Sequence, residues 1–334
     1  MIARSLKFFT LFALSAGAFF VSVAAIAGLL AFVVWPLDVF NHFQPILFTL
    51  TLIMFVGLAI FAKTQPYRGF VISIIATGFV ASSLVIVPEV VGGYVNQRPD
   101  RVEGETMRLM TYNIYAKNHD FDAIYAAVEK EQPDFLLLQE YWKDHRQGLS
   151  PRLEELLPYF VYCQGGKRSF LGIYSRFPIE PIEGNDCKTA ISAEQRHSII
   201  AVKVQAEIPF SLVTTHFDWP IPAERQYTQM DKVASALNGI DGPLVVAGDF
   251  NSTPFSYAFK NFATKSDLKR ATWMIPTWPA PPTYPLPMPP WLQLDHIMTR
   301  GNIDTTAPWR GENGLSDHFP LIVDFKINAE SVSD

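Results

Sequence analysis

Residues 244–254 read Leu-Val-Val-Ala-Gly-Asp-Phe-Asn-Ser-Thr-Pro, and the fold turns on how they are read. The apolar run Leu244 to Ala247 is too short for a helix and suits a strand buried on both faces. Gly248 ends it. Asp249 and Asn251 stand two apart, so in an extended chain their side chains leave on the same face. A carboxylate and an amide at the end of a buried strand are well placed to be aimed rigidly into a cleft.

Five more clusters share this form, each beside a short apolar run: Thr-Tyr-Asn at 111–113, Gln-Glu at 139–140, Thr-His-Phe-Asp at 215–218, Leu-Asp-His at 294–296 and Ser-Asp-His at 316–318. Strands are expected over Met107–Tyr112, Phe135–Leu138, Leu171–Tyr174, Ser198–Val204, Phe210–Thr215, Leu244–Ala247, Leu294–Met298 and Leu321–Phe325. Helices are expected over Phe121–Glu131, where Ile124, Ala127 and Val128 share a face, and over Ala223–Leu237. Without strict strand–helix alternation, this mixture predicts an α/β domain with mixed sheets. No GxGxxG or Walker-type phosphate loop is present, which argues against nucleotide-driven chemistry.

The clusters supply carboxylates, amides and imidazoles and no cysteine. Such oxygen-rich sets suit Mg²⁺ or Mn²⁺ rather than structural zinc. Singly, each has a blander explanation. Asn113 reads as a turn residue, Glu140 as the start of a solvated loop and His216 as a hydrogen-bonded histidine near the core. Asp249 reads as part of a tight turn, Asp295 as a backbone partner, and Asp317 with His318 as a helix cap or surface pair. His296 follows Asp295 directly, faces the other side of the strand and reads as structural. His119 reads as a loop residue; His145 and His197 carry no signal.

In this order the clusters resemble the endonuclease/exonuclease/phosphatase superfamily, through TYNI, LLLQE, IYSRFPI, TTHFD, VVAGDFNSTP, QLDHI and LSDHFPL, from residue 107 to about 325. The superfamily includes deoxyribonuclease-I-like nucleases, apurinic endonucleases, neutral sphingomyelinases and inositol polyphosphate 5-phosphatases. The resemblance implies a four-layer sandwich of two mixed β-sheets with helices outside. It implies Glu140 as the principal metal ligand, with Asn113 beside it and Asp317 completing the metal or water site. Asp249 would orient or deprotonate water, Asn251 would hold the phosphate, and His318, paired with Asp295, would contact a phosphoryl oxygen. His216 matches a histidine of the deoxyribonuclease and sphingomyelinase branches. The implied activity is Mg²⁺-dependent hydrolysis of a phosphoester by direct water attack, with nucleic acid, a phospholipid or a lipid-linked phosphate as substrate. Mn²⁺ is an alternative metal. A non-catalytic membrane binding protein with a degenerate domain is the alternative function; the retained Asp249, Asn251, Asp317 and His318 speak against it.

The rest of the chain is of another kind. It has 334 residues, 49% of them hydrophobic and only 18% charged, against roughly 25% charged in ordinary soluble proteins. That excludes a disordered chain. Residues 8–37, 39–62 and 69–88 carry no charged group. A spanning helix needs about 20 mostly apolar residues. Three transmembrane helices are therefore expected, at about 8–34, 45–62 and 69–88, followed by a linker at 93–106, the catalytic domain at 107–326 and a tail at 327–334. Cleavage of the first segment as a signal peptide is disfavoured, because the apolar run continues past the small residues at 24–28. With no charge inside any span, a transport pathway is unsupported. The chain resembles bacterial membrane-anchored members of the superfamily.

Arg4, Lys7, Lys63 and Arg68 flank the spans on one side. By the positive-inside rule this sets the N-terminus in the cytoplasm and the catalytic domain outside, in a bacterium on the periplasmic face of the inner membrane. Membrane lipid is then a partner; no protein partner is evident. The whole chain has net charge -5 and the part beyond residue 100 is more acidic still. It lacks the broad basic surface of a tight nucleic-acid binder. Cys163 and Cys187 are too few for a zinc knuckle, leaving one disulfide or two separate thiols. The proline- and aromatic-rich stretch Trp273–Trp291 cannot be a regular helix or central strand. It reads as a stiff packed loop or as a substrate platform that stacks bases or dips tryptophans into the membrane interface.

Overall fold

The computed structural model describes residues 2–61, 68–163, 170–184, 199–281 and 288–329. Cys187, His197, Lys63 and the middle of the proline-rich stretch lie outside the described residues.

The N-terminal helices are α1 (Ile2–Leu29), α2 (Val39–His42), α3 (Gln44–Phe61) and α4 (Arg68–Val95), with a short 3₁₀ turn at Trp35–Asp38 before α2. Two of them, over Leu11–Leu29 and Arg68–Val95, are long and apolar enough to cross a membrane, and a third qualifies as the pair Trp35–His42 and Gln44–Ile60, bent by 67°. Two expected limits shift. Helix α1 stops at Leu29 rather than Val34, because Asn41 and Gln44 donate to its late carbonyls, Gly28 O and Ala25 O, at 3.0 and 3.2 Å. Helix α4 runs past Pro88 to Val95, into the expected linker. Gly92 and Gly93 let it lie on Trp273 and Met274: a Cβ on Gly92 would fall 2.4 Å from the Trp273 ring, and one on Gly93 2.9 Å from Met274 Sδ. Gly78 allows equally close packing of α4 on Ser22 of α1, the small-residue contact common between membrane helices.

The α/β part of the chain has helices α5 (Phe121–Glu131), α6 (Lys143–Leu156), α7 (Ala223–Asn238) and α8 (Tyr257–Lys265). One sheet holds β1 (Met107–Asn113), β2 (Phe135–Gln139), β3 (Tyr159–Cys163), β4 (Leu171–Ser175), β11 (Ile303–Thr305), β12 (Trp309–Arg310) and β13 (Leu321–Ile327). Its order is β11-β13-β1-β2-β4-β3, with β12 also on β13. The other holds β5 (Ile179–Pro181), β6 (Ile199–Val204), β7 (Phe210–His216), β8 (Leu244–Asp249), β9 (Lys269–Arg270) and β10 (Asp295–Arg300), in the order β5-β6-β7-β8-β10-β9. Each sheet has one parallel pair at its centre, β1 with β2 and β7 with β8, and is otherwise antiparallel.

Period-two alternation builds the layers. Leu109, Phe135 and Leu137 meet Leu212, Val245 and Ile297 between the sheets. Their neighbours Met110, Leu136 and Leu138 face outward onto Ile124 and Val128 of α5 and Leu149 and Leu153 of α6. On the far side Val213, Val246 and Met298 cover Met230 and Val233 of α7 and Phe259 and Phe262 of α8. The expected four-layer α/β sandwich is therefore present. Helices α6 and α8 carry weak sequence patterns: Gly148 and Pro151 fall inside the first, which runs through both, and the second is only nine residues long. Gly148 is needed, since a Cβ there would sit 2.3 Å from the Phe121 ring.

Cys163 is disulfide-bonded, and Cys187 is the chain's only other cysteine.

Candidate active site

Strand register brings the site together. Asp249 ends β8, with His216 of β7 paired to it on one side and Asp295 of β10 on the other. Gly248 makes this crowding possible. Its φ is +154°, and a Cβ would fall 2.0 Å from the Thr215 carbonyl oxygen. Across the cleft, Asn113 ends β1 opposite Gln139, and Glu140 follows with φ +58°. Asp317 and His318 arrive on the loop before β13.

Asp249 is buried and accepts from three directions: the Asn251 backbone N–H at 2.8 Å, Asn113 Nδ2 at 2.9 Å and Asn251 Nδ2 at 3.3 Å. His216 Nε2 lies 3.4 Å from the same carboxylate. Asn251 sits at φ +46° and also donates to Phe217 O at 3.0 Å. His318 spans two carboxylates, with Nδ1 2.8 Å from Asp295 Oδ2 and Nε2 3.9 Å from Asp249 Oδ2. The second oxygen of Asp295 is buried without a hydrogen-bond partner.

The charges follow from this packing. Burial works against a charged His318, but Asp295, Asp249 and Asp317 outweigh it and raise its pKa to about 10. His318 is thus the cation of the cluster at neutral pH. Burial pushes the Asp249 carboxyl up, with Asp295 adding to the effect and His318 and His216 opposing it. Burial also raises Asp317; the His318 charge opposes it, the nearby Glu140 and Asp249 charges reinforce it, and a hydrogen bond from the Trp278 side chain offsets it a little further.

Two groupings could hold a divalent ion. Ligand atoms of Asp249, Asp295 and His318 lie within 4.8 Å of one another. That trio already contains its cation, the imidazolium, and a metal there would have to displace the proton. The expected set, Glu140, Asp317 and Asn113, offers hard oxygen donors only, and its carboxylates are close enough for Glu140 to raise Asp317. Like charges held together in a partly buried cleft fit a divalent cation, and oxygen donors fit Mg²⁺ or Mn²⁺. Asn113 Nδ2 is committed to Asp249 and its Oδ1 accepts from the Tyr115 N–H at 3.0 Å, leaving that oxygen one further lone pair. Glu140 Oε2 accepts from the Ala116 N–H at 2.6 Å.

All eight expected residues therefore gather at one end of the sandwich. His296 does not join them. Its ring packs on Phe250 and Phe259 beneath α8, on the opposite face from Asp295. His119 pairs instead with exposed Asp144, at 3.0 Å.

Two contributors escaped sequence reading, and the proline-rich stretch, left open between packing and platform, supplies a third. Ser316 Oγ donates to Asn113 O at 2.7 Å and accepts from the His318 N–H at 3.1 Å, tying the loop that carries Asp317 and His318 to the end of β1; its place in the Ser-Asp-His cluster was the available signal. Gln226, a buried polar residue on the apolar face of α7, donates to Asp218 O at 2.7 Å and Asn251 O at 3.1 Å. Trp278 reaches Asp317, and the backbone beside it is fixed by Ala280 N to Asp317 O at 2.7 Å and Phe319 N to Thr277 O at 2.9 Å. The described part of the proline-rich stretch is thus a packed wall of the site.

The same architecture occurs in solved structures. The human nocturnin catalytic domain with bound sulfate shares 21% identity and a TM-score of 0.51, over 69% of this chain and 100% of that one. Sphingomyelinase C from Streptomyces griseocarneus shares 19% identity and 0.51, over 67% and 100%. D. rerio TDP2 complexed with a single-strand DNA product shares 15% and 0.53, over 67% and 100%. At these identities the likeness is one of fold. No curated protein matches the chain by sequence. The sequence pattern of the endonuclease/exonuclease/phosphatase family, however, matches residues 110–318, well over half of the chain, and the chain belongs to that family of metal-dependent phosphoester hydrolases.

Proposed function

We propose that the protein is a membrane-anchored, Mg²⁺-dependent phosphodiester hydrolase that acts by direct attack of water. The observation that carries this reading is the arrangement about Asp249. A buried carboxylate of raised pKa, held by Asn113 and the Asn251 backbone, stands beside an imidazolium that Asp295 keeps charged.

In this reading Asp249 orients the water and takes its proton, which its raised pKa favours. Asn251 Nδ2 and His318 Nε2 donate to the phosphoryl oxygens. The longer Asn251 bond, to Asp249 at 3.3 Å, is the one a phosphoryl oxygen would replace. Fixed donors aimed at developing negative charge stabilise the transition state more than the ground state. Glu140, Asp317 and Asn113 would hold the metal, which when bound supplies a positive charge against the phosphoryl group.

For the substrate, a phosphodiester presented at the membrane surface is favoured over free nucleic acid. His42, the last residue of α2 and two before α3, lies 3.2 Å from the Thr253 N–H. Asn251 is two residues away, so its backbone is within about 10 Å of the His42 ring at roughly 3.5 Å of chain per residue. On the loop between His216 and α7, Trp219 and Ile221 are 62% and 69% exposed, as side chains seated in a membrane interface would be. The Cys163 disulfide and the basic N-terminal flank support a catalytic domain outside the cytoplasm.

The test is hydrolysis by the full chain in detergent micelles, with Mg²⁺ and an EDTA control, of bis(p-nitrophenyl) phosphate, supercoiled plasmid and phosphatidylglycerol–phosphatidylcholine vesicles. Metal-dependent cleavage of the small diester and the vesicles is expected. Absence of metal-dependent cleavage of all three by folded protein would refute the hydrolase reading, and cleavage of plasmid alone would refute the membrane-substrate reading.

A further inference from the structure

The membrane hairpin does more than precede the catalytic domain in the chain. Asp38, in the 3₁₀ turn between α1 and α3, is buried against α7 and α8. Its Oδ1 accepts from the Tyr257 N–H and Asn41 Nδ2, both at 2.8 Å. Its Oδ2 accepts from Ser256 Oγ at 2.8 Å, the Ala258 N–H at 3.0 Å and the Tyr227 hydroxyl at 3.1 Å. Ser256 is itself the N-cap of α8 and accepts from the Phe259 N–H. The first turn of α8 thus has its free N–H groups satisfied, two of them by a carboxylate from the membrane hairpin. His42 makes the second link, its Nδ1 lying 3.2 Å from both the N–H and Oγ1 of Thr253. Trp35 adds a stacked contact with Tyr227, ring centres 5.1 Å apart.

These contacts fall on the segment that carries the phosphate-binding residue. Asn251 holds a left-handed backbone at φ +46°, a conformation that persists only where surrounding contacts impose it. The loop from Asn251 to α8 is fastened at each step: Ser252 O to His296 Nε2 at 2.9 Å, the Thr253 N–H to His42, the Ser256 N–H to Thr253 O at 3.0 Å, and Ser256 Oγ to Asp38. Two of these fastenings come from the membrane hairpin.

We propose that Asp38 and His42 are positioning residues for catalysis: the membrane hairpin clamps the loop 251–256 and so sets the Asn251 amide against Asp249. The anchor is then part of the catalytic unit, and a domain cut away after α4 would leave the Tyr257 and Ala258 N–H groups of α8 without their carboxylate and Thr253 unfastened. This rests on the phosphodiesterase reading for its kinetic test only; the clamp itself has a separate structural readout.

The experiment compares His42→Leu, His42→Asn, Asp38→Asn and Glu89→Gln in the full chain in micelles. Glu89 pairs with Arg270 at 2.6 and 2.7 Å, a second bolt between α4 and the domain that touches no residue of the loop 251–256, and serves as the control for loosened docking. His42→Leu removes the acceptor; His42→Asn keeps an oxygen in place of Nδ1. His42→Leu and Asp38→Asn should lower kcat on bis(p-nitrophenyl) phosphate by between about ten- and a hundredfold, as small misplacements of substrate-holding groups do. His42→Asn should recover to within about threefold of the parent, and Glu89→Gln should lose thermal stability while keeping kcat. Equal kcat losses in His42→Leu and Glu89→Gln, or no loss in either loop-side variant, would overturn the proposal. Hydrogen exchange decides independently of activity. Amides of residues 251–258 should lose protection in His42→Leu and Asp38→Asn but not in Glu89→Gln. Unchanged protection would reject the clamp even if the enzyme reading stands, and lost protection in a protein without hydrolytic activity would uphold the clamp while the enzyme reading fails.

Discussion

His318 donates from Nδ1 to the Asp295 carboxylate across 2.8 Å, and this bond sets the charge of the site. Burial would strip the proton from the ring, but Asp295 and then Asp249 hold it to about pH 10. A histidine whose folded pKa is raised stabilises the fold fully below its unfolded value of about 6.5, and that contribution disappears as pH rises through the folded value. Asp295→Asn removes the larger carboxylate influence while keeping the shape. It should bring the alkaline limb of the kcat profile to lower pH and reduce kcat at neutral pH by roughly two orders of magnitude. An unmoved alkaline limb would show that Asp295 does not control the His318 proton.

Asp249 is the point on which Asn113, Asn251 and His216 converge. Asp249→Ala and His318→Ala should each lose at least roughly two orders of magnitude in kcat, as loss of a positioned acid–base group does. Because the two groups face each other at 3.9 Å, the double variant should lose much less than the product of the single losses. Single-turnover rates of the three variants check both points.

Much of this was legible because local patterns and tertiary geometry agree. Asp249 and Asn251 lie two apart after a buried strand, and His296, adjacent to Asp295, faces away from the site as strand alternation requires. The Ser316 bridge stayed hidden because nothing local announces that its hydroxyl will meet the end of β1, 203 residues away in the chain. The clamp was invisible for a stronger reason: Asp38 meets Tyr257 and Ala258 from more than two hundred residues away, inside a segment whose composition says only that it is apolar. Glu89 reads as the residue just past a span, yet it lies inside α4, paired with Arg270. The Trp273–Trp291 stretch left open whether it packs or binds, because its prolines exclude regular structure without saying what the aromatic rings touch.

Trp278 shows what that stretch contributes. Its side chain hydrogen-bonds Asp317 and helps keep that carboxylate ionised against burial and the Glu140 charge. Trp278→Phe retains an aromatic ring and removes the N–H. Groups that orient a metal ligand typically contribute about ten- to a hundredfold to metal affinity. The Mg²⁺ concentration for half-maximal activity should therefore rise by about tenfold, with kcat recovered at saturating metal. A fall in kcat with unchanged Mg²⁺ dependence would assign Trp278 to substrate instead.

The last prediction concerns the histidine that stands outside the site. His296 Nε2 donates to Ser252 O at 2.9 Å, and Nδ1 accepts from Gln293 Nε2 at 3.2 Å, so the neutral ring with the proton on Nε2 satisfies both bonds. Burial, aided by the Arg270 charge, lowers its pKa from 6.5 to about 3. Between those values the unfolded chain binds a proton that the folded chain refuses. Stability should be intact above about pH 6.5 and fall as pH drops towards 3, by up to about 1.4 kcal/mol per pH unit from this group alone. Thermal midpoints of the full chain in micelles from about pH 7 down to about pH 4 should decline more steeply than those of His296→Gln, whose amide carries no titrating proton. Parallel slopes would mean that Gln293 or Arg270 moves to accommodate the imidazolium, and that the ring's contact with Ser252 does not depend on its neutral form.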